Sequence, residues 1–316
     1  MRVALSVDME GVAGITDMRA CVAACREYWA RGKRLLESDV AAAAEGLLAG
    51  GASEVVVLDN HGSGNPDNLG ADSLPTGARL ESWNVFELRE HGVEAMFQVG
   101  YHARGGVEGF LSHTYVPGLR LRVGDELISE SHGRIWAAEV PLLGIVGNDQ
   151  HERTLGSLAG TPYLVVQESS GRGDAKRLHR DAEESAAAIR GFAADAMRAV
   201  ASAPRFEPPA GTTFAASLPN GAEAVEAMEA GGWTRAGEVE FTVEIAHWNE
   251  ARGPLAAAMG AGFAPFMPWW TELTSPAARD AADPETTAEL ERLVVAWAQE
   301  SQPEWHTEPA PALARR

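Results

Sequence analysis

Asp8, Met9, Glu10 and Gly11 place two carboxylates one residue apart at the end of the apolar run Val3 to Val7. In an extended segment, side chains at i and i+2 project to the same side, so this pair leaves the carboxyl end of a strand together. Open α/β sheets hold their ligands there. Like charges this close repel unless a proton or a cation lies between them; the plainer reading is a solvated loop or a helix cap. Further polar stretches fall in equivalent places. Asp59-Asn60-His61-Gly62 follows one apolar run and Gly100-Tyr101-His102-Ala103-Arg104 another; Ser112-His113 comes soon after, and Glu130 stands near the start of a predicted helix. Each alone is what an ordinary hydrogen-bonded loop residue looks like. Together, Asp8, Glu10, His61, His102 and Glu130 would gather three carboxylates and two imidazoles at one sheet edge, and such a cluster calls for positive charge among its members.

Donor number and type narrow the cation. Two imidazoles and three carboxylates cannot close two separate tetrahedral shells, but if Asp8 bridges they give about three ligands to each of two zinc ions and leave a position open for water. Paired metals of this kind bind a shared hydroxide and polarise a carbonyl oxygen. Mn2+ or Co2+ would fit nearly as well, because carboxylate-rich sites discriminate divalent ions poorly.

The elements that must position these residues follow from the apolar pattern. Arg2 to Val7 reads as a buried strand, Tyr28 to Leu48 as an amphipathic helix stopped by Gly50 and Gly51, and Glu54 to Leu58 as a second strand. Strand, helix, strand in about sixty residues is the pattern of a crossover in a parallel sheet. Further strands are expected at Glu94 to Val99, Val140 to Val146 and Tyr163 to Val166, and helices at Leu127 to Ala138, Gln150 to Leu158 and Ala175 to Val200. Pro204, Pro208 and Pro209 read as a linker, followed by strand Thr212 to Leu218, helix Gly221 to Ala230, strand Glu238 to Ala246 and helix Ala251 to Met259. A last helix is expected from about Pro284 to Glu300, after an aromatic stretch that includes Phe263, Phe266, Trp269 and Trp270. The expected fold class is therefore α/β, a mostly parallel sheet with helices on both faces, plus a smaller α+β domain. The boundaries are 1–202 for the α/β metal-binding catalytic domain, 203–304 for the smaller domain and 305–316 for a flexible tail.

Composition limits the function classes. The 316 residues, 45% of them hydrophobic, can fill a substantial core. The net charge of −19 opposes phosphate backbones and anionic surfaces, so neither nucleic acid nor membrane is expected as a partner. Only Cys21 and Cys25 occur, too few for a disulfide framework or a structural zinc site, and both are expected reduced. The chain runs from Met1-Arg2 directly into a strand with no apolar leader, and no run reaches membrane-spanning length, so the expected location is the cytoplasm.

Ser-Val-Asp-Met-Glu-Gly at 6–11, Asp-Asn-His at 59–61, Gly-Tyr-His-Ala-Arg at 100–104, Ser-His at 112–113 and Gly-Asn-Asp at 147–149 resemble, in that order, the DppA-type zinc D-aminopeptidase family. The likeness is continuous from Met1 to about Leu158, with weaker echoes through Glu244 to Asn249. It implies that Asp8 bridges two Zn2+ per subunit, that Glu10, His61, His102 and Glu130 complete the coordination, and that His113 is the catalytic residue, as a nucleophile in the family's description. Physically, a neutral imidazole there serves better as a general base and then as proton donor to a leaving amine. Tyr101, Arg104 and Asp59 are candidates for orienting the ligands. The resemblance further implies short peptide substrates, those containing D-amino acids among them, and a homo-oligomer, a decamer of two pentameric rings. Ser131 and His132 after Glu130, and the Trp- and Pro-rich segment after Gly260, depart from the family pattern. Three other readings share the ligands: a non-catalytic peptide- or metal-binding protein serving dipeptide uptake, a different metal-dependent amide hydrolase, and a metallophosphoesterase. Turnover of an aminoacyl amide beside a phosphate ester separates them.

Overall fold

A computed structural model describes residues 1–264 apart from 24, 117, 172–173, 208–210 and 219–220. The expected helix at 284–300, Phe266, Trp269, Trp270 and the 305–316 tail lie outside the described residues. Strand β1 (Arg2–Val7), helix α1 (Arg26–Ala49), β2 (Glu54–Asp59), β3 (Ala78–Glu81) and β4 (Ala95–Tyr101) open the chain. A hairpin of β5 (Arg120–Val123) and β6 (Glu126–Ile128) leads into α2 (Glu130–Ala138), followed by β7 (Leu142–Asn148), α3 (Asp149–Arg153), β8 (Tyr163–Ser169), β9 (Ala175–Arg177) and α4 (Ala182–Arg198). The rest comprises β10 (Thr212–Ser217), α5 (Gly221–Ala230), β11 (Thr234–Arg235), β12 (Glu240–Ile245) and α6 (Arg252–Phe263).

Seven strands form one sheet in the order β3-β2-β1-β4-β7-β8-β9, with every pair parallel except β8 with β9. Alternate residues of β1, β2, β4 and β7 serve opposite faces, which explains why these strands read as nearly continuous apolar runs. Val3, Leu5 and Val7 join Leu36, Val40 and Leu47 of α1 and Ile189 and Ala193 of α4 in one core. Ala4, Val56 and Met96 join Ile135 and Trp136 of α2 in the other. The α/β class, with a mostly parallel sheet and helices on both faces, is thus what the chain adopts.

The second core is shared with a five-stranded antiparallel sheet ordered β11-β12-β10-β5-β6, through Leu121, Ile128, Phe214 and Phe241. Two of its strands come from residues 120–128, on the amino-terminal side of the linker expected at 203. Within this core the Trp136 and Trp248 rings meet edge to face with centroids 4.9 Å apart, and Trp248 Nε1 donates to Gly133 O at 3.1 Å.

Three expected helices start or end elsewhere, each for a local reason. Leu127 and Ile128 finish β6 rather than opening α2, because the His132 ring accepts the Ser129 N–H at 3.1 Å and caps the helix there. Residues 175–177 pair with β8, and α4 begins only after Asp181, whose carboxylate accepts the Glu184 N–H at 2.9 Å. α3 stops at Arg153, where the Thr154 N–H caps His151 O, and a separate 3-10 turn at Gly156–Leu158, opened by Gly156 with φ of 52°, follows it. No helix among the described residues is long and apolar enough to cross a membrane.

Candidate metal centre

Strand order reverses at β1, which has β2 on one side and β4 on the other, so the carboxyl ends of β1 and β4 border a topological switch point. Asp8 and Glu10 follow β1, His61 follows β2 and His102 follows β4. Glu130 arrives from the other sheet, as the first residue of α2. These five side chains converge and are 3–6% exposed. Close approach of the loops depends on two glycines. A Cβ at Gly11 would overlap the Tyr101 carbonyl oxygen, and one at Gly100, where φ is +81°, would overlap that of Asp8.

The distances define two overlapping sets. Asp8 Oδ1 and Glu10 Oε2 each lie 3.3 Å from His61 Nδ1. Asp8 Oδ2 is 3.7 Å from His102 Nε2, which is in turn 3.9 Å from Glu130 Oε1. Asp8, Glu10 and His61 therefore form one group with the spread of a cation's donor shell, and Asp8, His102 and Glu130 form another, with Asp8 common to both. His113 is 16% exposed and stacks on His102 with centroids 4.2 Å apart. Its Nε2 lies 3.9 Å from Glu10 Oε1 and 3.8 Å from Glu130 Oε1, which makes Glu10, His102 and His113 a third possible group.

Backbone carbonyls set the tautomers. His61 Nε2 donates to Cys21 O at 2.7 Å, His102 Nδ1 to Ala103 O at 2.9 Å and His113 Nδ1 to Leu111 O at 2.7 Å. A carbonyl only accepts, so each remote nitrogen carries a proton and the nitrogen facing the carboxylates is the donor atom a metal would use. Buried Glu10 Oε2 and His102 Nε2 have no hydrogen-bond partner, an arrangement that costs free energy unless a cation enters. The titration directions agree. Burial disfavours the His61 and His102 cations, yet Glu10 and Asp8 overcome it, raising His61 well above its usual value and His102 to about 9. Burial likewise opposes the Asp8 charge, but His102 and His61 hold its carboxyl well below the usual range. The centre therefore attracts positive charge, and the residues present suit a pair of divalent ions.

Outside this cluster, Asp59 accepts the His61 N–H at 3.1 Å, and the Tyr101 hydroxyl bonds Ser6 Oγ at 2.6 Å. Arg104 turns to its neighbour's carbonyl, Gly105 O, rather than to a ligand. The sequence reading missed Arg134. It lies one helical turn beyond Glu130, donates to Glu130 Oε2 at 3.0 Å and, through Nη1, to Asn60 Oδ1 at 2.8 Å. The i, i+4 spacing on α2 was the available signal. Tyr115, also missed, donates its N–H to Glu130 Oε1 at 2.6 Å. Leu111 and Tyr115, two residues to either side of His113, both have positive φ, of 47° and 61°, strain that accompanies functional sites.

Fold and cluster define an α/β protein with a buried imidazole–carboxylate centre at its switch point. A model of the peptidase family M55, D-aminopeptidase, matches residues 1–255, and the chain belongs to that family. It is 31% identical over 160 residues to a D-aminopeptidase of Bacillus subtilis (strain 168), a match covering 48% of this chain and 57% of the relative, so it spans little more than half of that protein. Among solved structures, the Zn-dependent D-aminopeptidase DppA from Bacillus subtilis, described as a self-compartmentalizing protease, has the same fold. The TM-score is 0.72 at 22% identity, over 87% of this chain and 98% of that one.

Proposed function

We propose that the chain is a binuclear zinc aminopeptidase that removes the amino-terminal residue, of D configuration, from short peptides. The observation that carries this reading is the pair of three-residue donor groups sharing Asp8, in which buried Glu10 Oε2 and His102 Nε2 lack any other partner. Asp8, Glu10 and His61 would hold one ion, and Asp8, His102 and Glu130 the other. Bound there, zinc would supply Lewis acidity toward a water and the scissile carbonyl. The remaining work falls to side chains. His113 is accessible, its Nδ1 proton is tied to Leu111 O, and its Nε2 is free to take the proton of the attacking water and return it to the leaving amine. The described self-compartmentalization of the solved relative extends to this chain as a homo-oligomer, a decamer of two pentameric rings, which light scattering would measure.

The test is metal content and turnover on paired D- and L-aminoacyl amides. Asp8→Ala or His102→Ala is expected to lose both metal and hydrolysis. His113→Ala should keep its metal while losing about 10²–10⁴-fold in rate. A second reading has its own observation, the Glu10–His102–His113 group: if His113→Ala also sheds metal, His113 is a ligand. Protein that binds zinc and dipeptide but never releases amino acid would be a binding module.

A further inference from the structure

Glu10 and Glu130 are not equivalent carboxylates. Glu10 Oε2 is buried with no hydrogen-bond donor, and the ring facing it is held from behind by the Cys21 carbonyl. Its charge is uncommitted. Glu130 is held on both sides: Oε1 accepts the Tyr115 N–H at 2.6 Å, and Oε2 accepts Arg134 Nη2 at 3.0 Å. Arg134 cannot withdraw easily, because Nη1 is bonded to Asn60 Oδ1, the Asn60 amide is bonded to Ser6 Oγ at 2.8 Å, and the Tyr115 ring lies 5.6 Å from the guanidinium. A permanent cation thus stands behind one oxygen of Glu130, while no arginine contacts Glu10 among the described residues. A carboxylate already neutralised by a guanidinium binds a second cation less strongly, and the two cations repel at short range in a low dielectric.

From this asymmetry we infer that the two cation positions differ in affinity, with Asp8, Glu10 and His61 holding a tight ion, Asp8, His102 and Glu130 a weaker, exchangeable one, and Arg134 setting the difference as a positioning residue. The inference rests on the two-metal reading above. Arg134 keeps Glu130 oriented with Oε1 toward His102 while weakening its pull on the ion. A side chain that merely braced the helix would have the opposite effect when removed.

Metal-free protein titrated with Zn2+ by calorimetry, and with Co2+ by absorption, tests this without reference to turnover. The wild type should bind two ions per chain in separable steps, and Glu130→Gln should retain only the tight one. Arg134→Met should tighten the weak step about tenfold or more while leaving the tight step unchanged. Arg134→Lys, which keeps the charge, should preserve the gap. Equal affinities in the wild type, loss of the tight ion in Glu130→Gln, or weakening of either step in Arg134→Met would overturn it. Should Arg134→Met fail to fold, the wild-type and Glu130→Gln titrations decide. If Asp8→Ala binds as much zinc as the wild type, the two-metal reading has failed, a result distinct from one in which both ions bind equally.

Discussion

Asp39 lets a single carboxyl group be followed from structure to stability. It lies on α1, is 2% exposed, and its Oδ2 accepts the Ala13 N–H at 2.8 Å, tying down the loop that carries Asp8 and Glu10. Burial pushes its carboxyl up to about 7, against the Ala13 hydrogen bond and the Arg177 charge that pull it down. In the unfolded chain the same group titrates near ~3.9. The folded state therefore holds this proton more tightly, and its contribution is complete below about pH 4 and lost progressively as pH rises to about 7. Over that interval, at about 1.4 kcal/mol for each pH unit, the loss comes to about 4 kcal/mol. The Asp39→Asn variant keeps an oxygen acceptor for Ala13 and has no proton to lose. Urea unfolding of both proteins from about pH 4 to about pH 8 should show equal stability at the acid end and a variant more stable by up to about 4 kcal/mol at the alkaline end. A gap that stays constant across that range would refute the reasoning, and would mean that Arg177 keeps Asp39 ionised in the fold.

Two further substitutions probe the scaffold. Gly100→Ala combines a left-handed backbone with an overlap on the Asp8 carbonyl, so it should cost at least about 2 kcal/mol by thermal or urea unfolding and lower metal content with it. Trp248→Ala opens the second core beside Trp136 and leaves Gly133 O without its donor, an expected loss of about 3–5 kcal/mol read from the shift in Tm.

The parallel sheet was legible because β1, β2, β4 and β7 are buried on both faces and so read as continuous apolar runs. The candidate ligands were legible for a related reason: Asp8, His61 and His102 interrupt or directly follow those runs. The hairpin β5–β6 escaped, since Arg120 and Arg122 alternate with Leu121 and Val123 over only four residues, and Leu127-Ile128 merge with the apolar pattern of α2. Its partner β10 lies about ninety residues further on, a pairing that no local pattern reveals. The clamp on Glu130 was hidden because it depends on Asn60 and Tyr115, which only the fold brings to α2. Nothing in the local sequence around Arg134 marks it as buried, yet its side chain is only 11% exposed.

Asp8, just after β1, and Glu130, the first residue of α2 after β6, stand roughly 120 residues apart in the chain and would share a single ion. The unfolded chain does not hold these donors together, so an ion bound between them would favour the fold by mass action, about 2.7 kcal/mol when free metal is about a hundredfold above its Kd. Metal in this position would therefore fasten α2, and the antiparallel sheet whose β6 leads into it, to the parallel sheet.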